Sequence, residues 1–269
     1  MILKGKEVAE KIYKNLQKDI EELKSKGNCP TMAVVLVGED PASLTYVKVK
    51  EKKVITLGID FKLFHLPAIA SQNQLEELLD DLNRNKYIHG IIVQLPLPTD
   101  FDKERVLKKI DPQKDIDGFS GDLLPPPTAQ AILEILKFYK IELKNKKIVI
   151  VGRGFLVGEP LEKLLLGLGF RPEVCDSETK NLGEKVSRAE ILISATGNPG
   201  LITPDMVNEK MVVIDAGTAE AGGKMAGDVD EACYEKVFAY SPVPGGVGPV
   251  TVACLIKNLV EAAKDMETE

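Results

Sequence analysis

Lys147-Ile148-Val149-Ile150-Val151 runs without a break into Gly152-Arg153-Gly154-Phe155-Leu156-Val157-Gly158-Glu159-Pro160, and the reading of this stretch decides the fold. Four β-branched residues in a row, Ile148 to Val151, with no polar alternation, mark a strand buried on both faces. The glycines then make a turn, and Leu161 to Leu168 continues as a helix. A strand, a glycine turn and a helix place backbone N–H groups and the positive end of a helix dipole at one point, which suits a pyrophosphate. The spacing is G-x-G-x-x-x-G rather than the common G-x-G-x-x-G. The pattern alone therefore leaves two readings, a dinucleotide turn or a plain βα connection.

Working outward, Pro172 to Cys175, Ile191 to Ser194 and Met211 to Asp215 read as further short strands, with Ala239 to Pro242 as one more. Pro244-Gly245-Gly246-Val247-Gly248-Pro249 is too rich in Gly and Pro for a helix or a strand, and Thr251 to Ala263 reads as a closing apolar helix. On the other side, a helix from about Thr128 to Tyr139 leads into the decisive strand. Asp111 to Pro127 carries Gly118, Gly121 and three consecutive prolines and reads as a domain boundary. The first half alternates in the same way. Val8, Ile12, Leu16, Ile20 and Leu23 mark an amphipathic helix that Gly27 can end. Thr31 to Gly38 is a buried strand, and Asp40-Pro41 offers a cap and first residue for a helix to Leu57-Gly58. Phe61 to Leu66 (strand), Gln72 to Asn85 (helix), Gly90 to Gln94 (strand) and Asp102 to Lys109 (short helix) complete it, with Leu95 to Pro98 stopping the last strand. Such alternation implies crossover connections and mostly parallel sheets, an α/β fold.

Composition narrows the function. The chain has 269 residues, 44% hydrophobic and 28% charged, which excludes a disordered or collagen-like chain. No apolar run approaches the roughly eighteen residues of a membrane span, and the first residues, Met1 to Lys6, lack an apolar signal core, so a cytoplasmic location is expected. A net charge of −6 with no basic stripe argues against duplex nucleic acid, and 5% aromatics with no Trp against a stacking platform for single strands. Two histidines leave little for a His metal site, and none is expected; four scattered cysteines form no CxxC pair or disulfide framework.

Several residues carry potential chemistry, each with a plainer alternative. Tyr46 and Lys50 stand i, i+4 on the helix after the first buried strand, so they share a face. They could supply a stacking ring and a lysine of lowered pKa, or Lys50 could be one more exposed lysine beside Lys48, Lys52 and Lys53. Gln94 ends a buried strand, where ligands of open α/β sheets bind, or is a simple strand-end hydrogen bonder. Asp117-Gly118 can be a functional carboxylate or a turn former. In the selector region, Arg153 suits a ribose 2′-phosphate, while Asp176 and Glu178 after the second strand could accept a free 2′-OH or belong to a solvated turn. The Pro244 to Pro249 run is a tight reversal or a backbone shelf for a flat ligand.

Taken together, Tyr46-Val47-Lys48-Val49-Lys50, Val93-Gln94-Leu95-Pro96-Leu97-Pro98, Lys114-Asp115-Ile116-Asp117-Gly118-Phe119, Val151-Gly152-Arg153 with Val157-Gly158-Glu159-Pro160, Ser194-Ala195-Thr196-Gly197, and Pro242 to Pro249 with Thr251 resemble the bifunctional methylenetetrahydrofolate dehydrogenase/methenyltetrahydrofolate cyclohydrolase family, in that family's order over nearly the whole chain. The resemblance implies two α/β domains with a cleft between them: a folate-binding catalytic domain of residues 1–118 plus 250–269, and a Rossmann-like parallel-sheet domain of 119–249. It implies oxidation of 5,10-methylenetetrahydrofolate with NADP, hydrolysis of the methenyl product to 10-formyltetrahydrofolate, a place in one-carbon metabolism and with it purine, methionine and histidine biosynthesis, and a homodimer formed largely through the Rossmann-like domains.

By the same resemblance, Lys50 matches the catalytic lysine, Gln94 its hydrogen-bonding partner, Tyr46 the tyrosine stacked on folate and Asp117 the aspartate that holds the pterin. Pro244, Gly245, Gly246 and Pro249 match the loop along the folate. Gly152, Arg153, Gly154, Ser177 and Thr218 match the cofactor side, Arg153 and Ser177 around the 2′-phosphate. The chain departs from the family at Gly154, where serine is usual, at Asp176, where a basic residue or His is common, and in a shortened segment after Phe119 that runs through Gly121-Asp122-Leu123-Leu124. Asp176 and Glu178 open NAD as the alternative cofactor to NADP.

Overall fold

A computed structural model describes residues 1–120, 123–221 and 224–267. Gly121 and Asp122, in the shortened segment, lie outside them. In chain order the elements are α1 (Gly5–Ser25), β1 (Thr31–Val37), α2 (Pro41–Thr56), β2 (Asp60–Leu66), α3 (Gln72–Arg84), β3 (Gly90–Val93), α4 (Lys103–Lys108), α5 (Pro127–Phe138), β4 (Ile148–Val151), α6 (Gly158–Gly167), β5 (Glu173–Cys175), α7 (Leu182–Ser187), β6 (Ile191–Ser194), β7 (Val212–Asp215), β8 (Ala219–Ala221), β9 (Lys224–Ala226), β10 (Ala239–Tyr240) and α8 (Val247–Asp265).

The chain forms two compact units, Ile12–Pro127 with Leu255–Glu269, and Met1–Lys11 with Thr128–Cys254. In the first, three parallel strands lie in the order β2-β1-β3. The all-apolar centre of β1 is fully buried, as its unbroken pattern requires, whereas the edge strand β2 is half exposed. Ala33, Val35 and Val37 of β1 and Ile91 and Val93 of β3 pack with Leu75, Leu79 and Leu82 of α3 into the core of this unit. The second unit holds five parallel strands in the order β10-β7-β6-β4-β5, with β8 and β9 as a separate antiparallel pair.

The division differs from the expected one at its edges, for reasons visible in the backbone. Leu3 donates to the carbonyl of Tyr240 and Tyr240 to that of Met1, so the first residues extend the five-stranded sheet. Asn258 of α8 donates to the carbonyls of Ile116 and Pro125, both at 2.9 Å, which ties the segment up to Pro127 to the first unit.

Two readings of the Gly and Pro runs need correction. The Pro244 to Pro249 run is not wholly irregular, because α8 begins at Val247 rather than Thr251. Pro249 sits in the first turn, where its missing N–H would have no intrahelical partner anyway. For the same reason Pro160 is accommodated at the start of α6, which begins at Gly158 rather than Leu161. The short α7, β8 and β9 had no periodicity long enough to announce them.

Candidate active site

The order β2-β1-β3 sends the chain to one side after β1 and places β3 on the other, so the C-terminal ends of β1 and β3 form a topological switch point, the usual ligand position in open α/β sheets. Helix α2 starts there. The carboxylate of Asp40 accepts the N–H of Ser43 at 2.7 Å, and Pro41 holds the first helical position. The register so set puts Tyr46 and Lys50 one turn apart on one face. Gln94 follows β3 directly, and its N–H bonds the carbonyl of Val35.

These residues meet. Lys50 Nζ donates to Gln94 Oε1 at 3.1 Å, while Gln94 Nε2 donates to the carbonyl of Leu95 at 2.7 Å. With its NH2 committed to Leu95, the amide turns its oxygen toward the lysine. Gln94 is buried, Lys50 is half-buried and Tyr46 is exposed. Burial pushes the Lys50 ammonium below the usual lysine range, and the negative charge of Asp117 partly opposes the shift. The plain reading of Lys50 as one more exposed lysine therefore does not hold. Lys48 and Lys52 are exposed, and Lys53 lies 3.8 Å from the centre of the Tyr13 ring.

Asp117 sits in a loop fixed by its neighbours. Buried Asp115 accepts the N–H groups of Gly118, Phe119 and Ser120. Buried Lys114 donates to the carbonyls of Leu82 (3.2 Å), Asn83 (2.6 Å) and Asn85 (2.9 Å) at the end of α3, where a cation complements the dipole. Burial pushes the Asp117 carboxyl up to about 6; Lys50 opposes this and Asp115 adds to it. Lys114 and Asp115, in the Lys114 to Phe119 stretch quoted above, and Asn258, which no motif included, shape the site. The available signal was Asp115, three residues before a glycine in a turn.

The two histidines do other work. His89 Nδ1 accepts the N–H of Thr31 at 3.1 Å, and His65 Nε2 lies 2.7 Å from the carbonyl of Gly38.

In the second unit the switch point falls between β4 and β6. The loops that leave these strands touch. Gly152 has φ +101°, and a Cβ there would lie 2.5 Å from the carbonyl oxygen of Ala195. A Cβ on Gly158 would lie 1.8 Å from the oxygen of Gly152. Both glycines are therefore required for the strand, the turn and the start of α6 to close up, and the result is a cradle of backbone at a helix N-terminus. A dinucleotide pyrophosphate fits that cradle. Gly154 is different, since a Cβ there would meet nothing within 4 Å.

Arg153 is exposed, with Nε 3.4 Å from Glu162 of α6. Asp176 is exposed and turned into its own loop, where its carboxylate accepts from the Thr179 hydroxyl (3.0 Å) and the N–H of Glu178 (3.1 Å). These bonds, the first above all, hold it below the usual carboxylate range. Ser177 and Thr218 are exposed. In the Pro244 to Pro249 run, Pro244 and Gly245 are exposed, Gly246 is buried and Pro249 half-buried. The carbonyl of Gly245 accepts the N–H of Gly5 at 2.9 Å. The structure thus groups Lys50, Gln94 and Asp117 in one unit, with Tyr46 one turn from Lys50, and the glycine loop, Arg153, Ser177, Thr218 and the Pro244 to Pro249 run in the other.

Residues 3–117 match the family model for the catalytic domain of tetrahydrofolate dehydrogenase/cyclohydrolase, and residues 126–267 match that for its NAD(P)-binding domain. The chain belongs to this family. It is 41% identical over 280 residues, covering 100% of this chain and 99% of the other, to the bifunctional protein FolD of Nautilia profundicola. It is similar to the crystal structure of the bifunctional FolD methylenetetrahydrofolate dehydrogenase/cyclohydrolase of Campylobacter jejuni, with 40% identity, a TM-score of 0.94 and coverage of 98% and 99% of the two chains. It is also similar to the methylenetetrahydrofolate dehydrogenase-cyclohydrolase of Trypanosoma brucei, solved with NADP cofactor and an inhibitor, with 33% identity, a TM-score of 0.91 and coverage of 100% and 99%.

Proposed function

We propose that this family member oxidises 5,10-methylenetetrahydrofolate to the 5,10-methenyl cation and hydrolyses that cation to 10-formyltetrahydrofolate, and that the residues grouped above divide the work. The observation that carries the reading is the hydrogen bond from Lys50 to Gln94 beside Asp117, in a chain that matches both family domains along most of its length. Hydration of the cation needs a group that can take a proton from water and give one to the opening ring. Lys50, with its ammonium destabilised by burial and its direction set by Gln94, suits that task. Asp117 can accept the amino group and ring N–H of the pterin as two parallel hydrogen bonds. Tyr46 offers its ring for stacking, and Pro244, Gly245, Gly246 and Pro249 offer backbone along the folate.

Gly152, Gly154 and Gly158 would hold NADP⁺ by their backbone, and the cofactor would supply the acceptor for the hydride of the methylene carbon. We assign its 2′-phosphate to Arg153 and Ser177, which are exposed, and a backbone contact to Thr218. We assign NADP⁺ over NAD⁺ by a narrow margin, because Arg153 favours the phosphate while Asp176 and Glu178 repel it. The fold assignment of the two units follows: folate chemistry in the unit with Lys50, dinucleotide binding in the unit with the glycine loop.

The deciding assay follows absorbance as methylenetetrahydrofolate is converted to methenyltetrahydrofolate with NADP⁺ or NAD⁺, and then follows loss of the methenyl band. Formation with either cofactor and decay of the band are expected; failure to form the methenyl species overturns the reading. A homodimer, a cytoplasmic location and service to purine, methionine and histidine biosynthesis belong to the same proposal. Light scattering that gives the mass of one chain would remove the dimer. Among the described residues no helix is long and apolar enough to cross a membrane.

A further inference from the structure

Two buried carboxylates play no part in the chemistry above. Asp215 ends β7, and Asp228 precedes the bridge between Ile202 and Val229. They are 1% and 0% exposed, and among the described residues neither meets a cation. All their partners are neutral donors. Asp228 Oδ2 accepts from the Ser194 hydroxyl (2.7 Å) and the N–H of Thr196 (2.6 Å), and Oδ1 from the N–H of Asn198 (2.9 Å). Asp215 Oδ1 accepts the N–H groups of Gly217 (3.0 Å) and Asp228 itself (3.2 Å), and Oδ2 that of Val229 (3.0 Å). The packing leaves no slack, since a Cβ on Gly217 would lie 2.0 Å from Asp228 Oδ1 and one on Gly227 2.1 Å from Asp215 Oδ2.

A buried, unpaired carboxylate is expensive, and such groups are tolerated where hydrogen bonds to them fix something that matters. What these bonds fix is the loop after β6 and the loop after β7, at the carboxyl ends of the strands where a dinucleotide lies. The first of these loops also touches Gly152 through Ala195. We propose that Asp228 is a positioning residue for the dinucleotide: its carboxylate holds the Thr196–Asn198 turn, while its backbone N–H bonds Asp215, whose own carboxylate holds the N–H of Gly217. The inference rests on the assignment of dinucleotide binding to this unit. The loop after β6 is thus shaped by a carboxylate outside every motif noted in the sequence, and hydration of the methenyl cation does not need it.

The test uses the full chain. Asp228→Asn keeps the shape but puts an NH2 group where the site offers only donors, so one N–H or the Ser194 hydroxyl loses its partner. KM for NADP⁺ and for NAD⁺ should both rise about tenfold, the change that 1.4 kcal/mol corresponds to. Hydrolysis of added methenyltetrahydrofolate should stay within about twofold of the parent, since only a modest, non-local effect is expected there. Ser194→Ala, a gentler change that removes one donor, should move KM in the same direction by a few-fold, and it decides the matter if Asp228→Asn does not fold. Unchanged KM in both variants, or an equal fall of both activities, overturns the proposal. A parent that forms no methenyl species with either cofactor would instead overturn the underlying assignment of activity.

Discussion

The molecule has two switch points, and they are furnished in opposite ways. At the first, between β1 and β3, the candidate groups are side chains: Lys50 bonded to Gln94, with Asp117 near enough for their charges to shift each other. At the second, between β4 and β6, the candidate pyrophosphate surface is backbone. Glycines at 152 and 158 permit contacts that a Cβ would block, and buried Asp215 and Asp228 shape the adjoining loops. The difference follows from the chemistry. Proton transfer needs a titratable group whose pKa the surroundings can move, whereas a pyrophosphate needs N–H groups and room. The first site should therefore fail by loss of a functional group, and the second by a gain of atoms.

The largest effect is expected at Lys50. Lys50→Met should lower the hydrolysis of methenyltetrahydrofolate by about 10²–10⁴-fold, while dinucleotide binding measured by fluorescence stays as in the parent. Hydrolysis within a few-fold of the parent would remove Lys50 as the proton-transfer group.

Asp117 comes next. Asp117→Ala should weaken folate binding by roughly 1.5–3 kcal/mol and leave the dinucleotide KM alone. The pH dependence sharpens the point. Because the folded carboxyl titrates at about 6, folate affinity should fall as pH drops through that value, when protonation removes one acceptor. The sign for stability is the reverse of the usual Asp case. A folded pKa above the unfolded value of about 3.9 means that ionisation opposes folding, with no cost below about pH 4 and the full cost above about 6. Asp117→Asn should thus raise Tm by a few degrees above about pH 7 and by little near pH 4. Equal Tm differences at both pH values would show that burial does not set this pKa.

The backbone site is probed by adding a methyl group. Gly158→Ala should raise the dinucleotide KM at least about tenfold and lower stability by about 1–3 kcal/mol, with hydrolysis much less affected. A silent Gly158→Ala would erase the contrast between the two sites.

Cofactor choice is a smaller effect. Arg153→Ala should shrink or reverse the NADP⁺ preference, read as the ratio of kcat/KM for the two cofactors. Asp176→Ser should widen it by up to about fivefold, as expected for a screened surface charge. A parent that prefers NAD⁺ outright would show that the acidic turn outweighs Arg153. Gly154→Ser should do least. With open space around that position, Tm should hold, and the added hydroxyl should lower the NADP⁺ KM by no more than a few-fold. A drop in Tm would show that this glycine, like Gly152, is required by packing.

The sequence by itself determined the alternation of elements, the parallel sheets and the placing of the glycine turn. These follow from local patterns, namely the unbroken apolar runs of β1, β3, β4 and β6, the Asp40-Pro41 cap and the spacing of Val8 to Leu23. The same patterns brought Tyr46 and Lys50 to one face, because helix geometry is local. What they left open was which lysine of α2 turns to a polar partner, since four compete at similar spacings, and where the Asp176 side chain bonds. Those answers came from Gln94, 44 residues beyond Lys50, and from the bonds of Asp176 to Thr179 and Glu178. α6 and α8 start earlier than their Gly and Pro content suggests, because both residues are tolerated in a first helical turn, where N–H groups have no partners. Asp215 and Asp228, and the carbonyl partners of Lys114, had no local signal. A carboxylate or ammonium becomes a structural element only when folding removes water and supplies its hydrogen-bond partners, and those partners lie on other turns and strands, up to 34 residues away for Asp228. Tertiary structure alone decided them, because desolvation and long-range hydrogen bonding have no signature in a local stretch of chain.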